Sequence, residues 1–189
     1  MSRAYRIRVR ESTSRVVTAE DRVSTRLEIL GILPADEMAE LLAAELEQRG
    51  FRREGGVMVR QEGALTITVD PRTGDVTVLA RDAQEVALEA EREGRAFDDY
   101  GPDANKVRKQ LQELAQKDLQ KQAETETNRL QEELTNQLEG RLRDLRHELD
   151  QAVNRVTAEA LKRKAAQMGE IKELTEDPET GSLTIVVEV

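Results

Sequence analysis

The sequence predicts an α+β protein: a small mixed or antiparallel sheet head built from both chain ends, with a long inserted coiled-coil helix or antiparallel helical hairpin. Three observations carry this. Residues 104–168 hold no proline and one glycine in 65 positions, and read as helix throughout. Strand-like runs open the chain at residues 5–9 and 27–33. Another run closes it at residues 171–189 around a proline–glycine turn. The organisation that follows is an N-terminal α+β head over 1–100, a coiled-coil region over 103–168 and a C-terminal β-hairpin over 170–189. The hairpin completes a head sheet in cis or in trans.

Residues 5–10 alternate apolar and basic side chains. Tyr5, Ile7 and Val9 fall on one face of a strand, and Arg6, Arg8 and Arg10 on the other. A half-buried strand with solvated arginines accounts for this, and an arginine-lined binding face is the alternative. A second extended run, residues 26–33, ends at Pro34. Proline suits the first turn of a helix, and Asp36 and Glu37 suit the positive end of its dipole. That helix runs to Arg49 with Met38, Leu41, Leu42 and Leu46 in one stripe. Gly50 supplies the left-handed stop, with Phe51 set to close the cap on Leu46.

Residues 57–60 and 64–69 alternate as strands around Gly63. The second leads through Asp70-Pro71-Arg72-Thr73-Gly74 into residues 76–79, and glycine accepts the positive φ that reverses the ribbon. The same chemistry recurs at Asp177-Pro178-Glu179-Thr180-Gly181. Each copy follows a helix ended by a glycine, Gly50 or Gly169, which suggests an internal duplication or a good turn used twice. Residues 82–95 are polar, with Val86 and Leu88 the large apolar side chains, and read as a short helix with a turn at Gly94. Asp98, Asp99 and Asp103 offer oxygen ligands to a hard cation, but lack the spacing of a calcium loop. Asp103 as a helix cap, with Phe97 and Tyr100 pinning the helix base, is the simpler reading.

Within the helical region Leu138, Leu142, Leu145, Leu149, Ala152 and Val156 step by four and three, a heptad seam. Leu130 and Leu134 extend it toward the N-terminus in steps of four. The stripe suits one facing helix. A single straight helix of this length reaches about 98 Å. Either it folds back, at Thr125-Glu126-Thr127-Asn128 or near Gly140, or it dimerises as a rod so that each terminal hairpin meets the other chain's head. Fold-back supplies the head with the strand pair it otherwise lacks.

Chemistry-bearing motifs are sparse. There is no cysteine, and the single histidine, His147, lies beside Leu145 and Leu149 at a coiled-coil flank, which removes His/Cys metal pairs. No glycine-rich phosphate loop occurs. A net charge of −9 and only four aromatic residues, Tyr5, Phe51, Phe97 and Tyr100, argue against a phosphate-backbone or base-stacking surface. The arginines at 141, 143 and 146 alternate with acids, as intrahelical ion pairs do. No catalytic residue, cofactor or metal is implied. The absence of a long apolar run or an apolar leader predicts a cytoplasmic protein without a membrane partner.

The opening Met1-Ser2-Arg3-Ala4-Tyr5-Arg6-Ile7-Arg8-Val9 and the closing Met168-Gly169-Glu170-Ile171-Lys172-Glu173-Leu174, with its turn over 177–181, carry a resemblance. The layout resembles the small accessory proteins of bacterial ternary systems that pair an FtsH-like or MoxR-like AAA ATPase with a von Willebrand A-domain protein. It is also similar to the Ycf35-like family of small plastid and cyanobacterial proteins. The resemblance covers the two ends and leaves the helix unexplained. It implies an accessory role beside an AAA ATPase or a von Willebrand A-domain protein, with no ATPase chemistry in this chain. The function expected is a non-enzymatic protein-interaction adaptor or scaffold, with possible homodimerisation through the helix. A small-ligand or cation-binding regulatory module and a purely structural coiled-coil spacer are the alternatives.

Overall fold

A computed structural model describes residues 5–97, 101–176 and 183–188. The chain is mixed α and β. Its elements are β1 (Tyr5–Arg26), α1 (Ala35–Gln48), β2 (Arg52–Glu54), β3 (Val57–Glu62), β4 (Leu65–Val69), β5 (Asp75–Ala96), α2 (Pro102–Met168), β6 (Glu170–Glu176) and β7 (Leu183–Glu188). The first five strands form one sheet in the order β1-β5-β4-β3-β2, and β6 pairs with β7 in a separate two-stranded sheet. Within this chain the hairpin therefore does not extend the head sheet as expected. The chain divides into two compact units, Met1–Asp21 with Arg81–Asn136 and Arg22–Ala80 with Gln137–Val189. The elements β1, β5 and α2 run through both.

Three expectations are corrected. The strand at the N-terminus runs on from the predicted residues 5–9 to Arg26, and residues 27–33 are irregular. Odd-numbered residues keep one face throughout: Ile7, Val9, Val17 and Ala19 are all buried. The polar stretch Glu11 to Arg15 hid this continuity. The Leu27 N–H on Gly74 O (2.8 Å) is a last bond to the sheet; beyond it the Ile32 N–H closes on Leu30 O (3.0 Å), a local bend before Pro34.

Residues 82–95 are strand, not helix. Their composition favours helix, but Val76, Val78, Ala80, Leu88, Ala90 and Ala96 keep one parity and all are buried. The outer face is held by cross-strand charge pairs: Arg6 with Glu93 (2.8 Å), Arg8 with Glu91 (2.9 Å) and Arg10 with Glu89. Tertiary pairing overrides propensity here.

The helix does not reverse. It is continuous from Pro102 to Met168 through both candidate turning points. The Thr125 and Thr127 hydroxyls donate back to the carbonyls of Lys121 (2.9 Å) and Ala123 (2.8 Å), which keeps those threonines inside the helix. Gly140 sits between buried Leu138 and Leu145 with open space around it.

In the first unit the helix packs on the β1–β5 ribbon through two small clusters. One joins Ile7, Val9 and Ala96 to Ala104 and Leu111, and the other joins Leu88 and Ala90 to Ala115 and Leu119. Gly94 admits the helix closely, since a Cβ there would lie 3.2 Å from both Val107 and Leu111 side chains. In the second unit, inward side chains match across the register: Met58 with Val69, Ile67 with Val78, and Val69 with Val76. All of these are essentially inaccessible, as are Leu42 and Leu46 of α1. The α1 terminus follows the expected cap: Gly50 has φ 83°, and the Phe51 N–H reaches Leu46 O (3.1 Å). The turn over 70–74 also forms as read, with Gly74 at φ 76° and its N–H on Asp70 O (2.8 Å). Its counterpart over 177–181 lies outside the described residues.

Candidate functional site

The second unit holds an open groove of about 800 Å³ between the end of β1 and the helix. Its strand wall is residues 23–28, and its helical wall runs from Leu142 to Asn154. β1 is the last strand of its sheet, so this wall is a sheet edge. The Leu27 N–H points inward to Gly74 O, and main-chain groups alternate direction along an antiparallel edge. The N–H and C=O of Ser24 and Arg26 therefore point away from β5, along the edge where the groove opens, and Val76 and Val78 of β5 line it from the sheet face. Leu145 and Leu149 are buried in its floor, and Leu142 and Val153 stand half-buried on its flank. Arg26 is braced by Asp75 (2.7 Å), a contact that raises the Arg26 pKa and lowers that of Asp75.

An arginine–glutamate clamp fixes the helical wall. Arg60 and Glu62 of β3 lie on the core face, opposite Ile67 and Leu65. Arg60 donates through both terminal nitrogens to Glu148 (2.6 and 2.9 Å) and also to Arg49 O (2.9 Å). Its Nε lies 2.8 Å from Glu62, a charge contact without the alignment of a hydrogen bond. Its guanidinium stacks 4.4 Å over the Phe51 ring. Arg141 of the helix donates twice to Glu62 (2.7 and 3.1 Å). The hydrogen bonds from Arg60 hold the Glu148 carboxyl below its ordinary pKa, and those from Arg141 do the same for Glu62. With one helix turn bonded to β3 at Arg141 and another at Glu148, the intervening Leu142 and Leu145 are held at the groove.

The eight seam residues are placed as follows. Leu130, Leu134, Leu138, Leu145, Leu149, Ala152 and Val156 are buried within the single chain, and Leu142 is half-buried. His147 is exposed, 3.0 Å from the Gln151 side chain. In the 97–103 cluster, Asp103 accepts the Phe97 N–H (3.0 Å), but the Phe97 ring is 74% exposed and does not pin the helix base. Asp98, Asp99 and Tyr100 lie outside the described residues. Among the described residues no helix is long and apolar enough to cross a membrane.

Sequence reasoning missed the clamp and the groove. One signal for the clamp was present, because Met58, Arg60 and Glu62 share strand parity and so place opposite charges on an apolar face. The groove had none, since it depends on β1 ending the sheet.

No curated protein and no solved structure matches the chain. A family model does match, over residues 1–189, and by it the chain belongs to the FtsH ternary system domain X5 family, an accessory protein of an FtsH ternary system as the resemblance of its two ends implied.

Proposed function

We propose that this chain is a non-enzymatic adaptor that joins protein components of an FtsH ternary system, the AAA ATPase or the von Willebrand A-domain protein being the partners to test. The observation that supports this most is the groove. It offers outward main-chain donors and acceptors along one wall and aliphatic side chains along the other. Proteins take up an extended segment of another chain in this way, with main-chain hydrogen bonds supplying affinity and side-chain pockets supplying selectivity. The charged groups support the same reading, because the clamp arginines and glutamates neutralise one another and hold the helical wall in place.

The experiment is direct binding of the purified full chain to the purified ATPase and to the von Willebrand A-domain protein, by interferometry with and without nucleotide. Saturable binding to either component is expected, with the ATPase's turnover altered when it is the one bound. Absence of binding to both, in every nucleotide state, would overturn the adaptor reading.

A further inference from the structure

We propose that the groove receives the β6–β7 hairpin of a second copy of this chain, and that the exchange is reciprocal. The proposal rests on reading the groove as a strand-accepting site and names its occupant.

The hairpin is built to be covered. Ile171 pairs with Val187 and Leu174 with Ile185, while the irregularity between Ile171 and Glu173 keeps both pairs, with Leu183, on one face. None of these five aliphatic side chains is buried in the chain, and Leu174 is 42% exposed. A lone two-stranded hairpin is marginal in water, so this face and its free edges call for a partner.

The lengths agree. β7 has six residues, about 20 Å of extended chain. The strand wall of the groove is also six residues, 23–28, and its helical wall from Leu142 to Asn154 rises about 18 Å. Laid along Ser24 and Arg26, the incoming strand would direct Leu183, Ile185 and Val187 at Leu142, Leu145 and Val153. The two strands of the hairpin carry four acidic residues in the sequence, at 170, 173, 176 and 188, against Lys172 alone, and its turn adds Asp177 and Glu179. Arg146 stands at the groove to meet them, Arg26 being paired with Asp75, while Glu28 and Asp150 there favour registers that bring opposite charges together.

The hairpin cannot fill the groove of its own chain. Beyond Asn154 the helix continues rigidly to Met168, about 21 Å, and Gly169 alone connects it to β6. That glycine closes the helix with its N–H on Ala165 O (3.2 Å) and passes against β7, since a Cβ on it would overlap the Glu188 carbonyl, so the hairpin is held at the far end of the helix. A second chain has no such restriction. When two copies run antiparallel, the separation of groove and hairpin is the same in both, so one two-fold axis seats both hairpins at once.

The test is the mass of the full chain by light scattering after size exclusion, over a concentration series. Two 21.3 kDa chains per particle are expected. Ile185→Glu, on the exposed hairpin, and Ser24→Pro, which deletes an outward N–H from the sheet edge, should each weaken dimerisation at least tenfold. Because the chain has no cysteine, mixing a Ser24→Cys chain with a Thr184→Cys, Val186→Cys or Glu188→Cys chain should yield a disulfide between differently tagged copies for at least one pair. A monomer at every concentration would overturn the proposal. So would a dimer that neither substitution weakens and no cysteine pair cross-links. Binding to the ATPase or the von Willebrand A-domain protein is measured separately on the same chains; a seated hairpin competes with a partner segment for the groove, so Ile185→Glu, which leaves the groove residues intact, should strengthen that binding while it weakens the dimer.

Discussion

Helix α2 rests on different supports in the two units. In the first, alanines alternate with leucines: Ala104, Leu111, Ala115 and Leu119 meet Ala90, Ala96 and Leu88 on a two-stranded ribbon. The ion pairs there, such as Arg6–Glu93 and Arg8–Glu91, keep about half of their side-chain surface in water. In the second, Leu138, Leu145 and Leu149 are almost wholly buried, and Arg60 retains 11% side-chain exposure while bonded to Glu148. Apolar stabilisation grows with buried area and charge pairs strengthen as water is withdrawn, so both terms concentrate in the second unit. The same helix is thus strongly held over one part of its length and lightly held over another. Local opening should begin in the first unit, and amide exchange should be faster in residues 5–21 than in β3 and β4.

The largest test of that contrast is a matched pair of core truncations. Leu149→Ala should cost about 3–4 kcal/mol, because Leu149 is 2% exposed and its helix turn is fixed to β3 through Glu148. Leu111→Ala should cost nearer to about 2 kcal/mol, at the low end for buried leucine, since the ribbon beneath it is narrow and can relax. Urea denaturation of both would measure the difference. Equal losses would break the comparison.

The clamp supplies the next effect. Glu148→Ala would leave the Arg60 guanidinium largely buried with its two best acceptor atoms removed. A loss of about 2–3 kcal/mol is expected, below the range for a fully enclosed pair because Glu148 keeps 25% of its side-chain surface exposed. Its pH dependence has a defined sign. Glu148 and Glu62 are lowered in the folded state, so their contribution is fully present above the ordinary carboxylate range. It is lost as pH falls through the lowered folded values. Thermal melts from pH 7 down to pH 3 should show stability declining across that acid range, and Glu148→Gln should flatten the decline.

What was legible in the sequence follows from how far each signal had to reach. Helix α1, its Gly50 cap and the turn at Asp70 to Gly74 rest on bonds spanning a few residues, and these were read as they stand. The long helix was legible as helix but not as unbroken, because a glycine and two threonines count against helix locally. Burial of Leu134 and Leu138 before Gly140, and of Leu145 after it, holds the helix together. The extensions of β1 and β5 were hidden because their middle residues, such as Thr13, Asp82 and Gln84, are polar on the helix-facing parity. Only cross-strand partners far away in sequence reveal them. The clamp joins residues up to 88 positions apart, so it is visible as a parity anomaly at Arg60 and not as a site.

Gly140→Ala sharpens the account of the unbroken helix. Nothing lies within 4 Å of a Cβ at this position, so the substitution removes a backbone-entropy cost without a clash. A gain of about 1 kcal/mol is expected from helix propensity alone. A loss would mean that the chain bends at Gly140 in solution, and the helix would then be anchored separately in each unit.

The smallest effect distinguishes the two sets of ion pairs. The ribbon pairs Arg6–Glu93, Arg8–Glu91 and Arg10–Glu89 are solvated, so 1 M salt, with a screening length of about 3 Å, should remove most of their attraction. Such exposed pairs contribute little, and their sum is reduced further by the side-chain entropy of holding long arginines in place. Arg60 and Glu148 are shielded from bulk ions by the helix and the sheet and should respond little. Exchange of amides in β1 and β5 near these pairs should therefore accelerate in salt, while amides of β3 and β4 stay unchanged. If salt instead accelerated exchange around Arg60, the clamp would be as solvated as the ribbon pairs, and tighter anchoring in the second unit would rest on aliphatic packing alone.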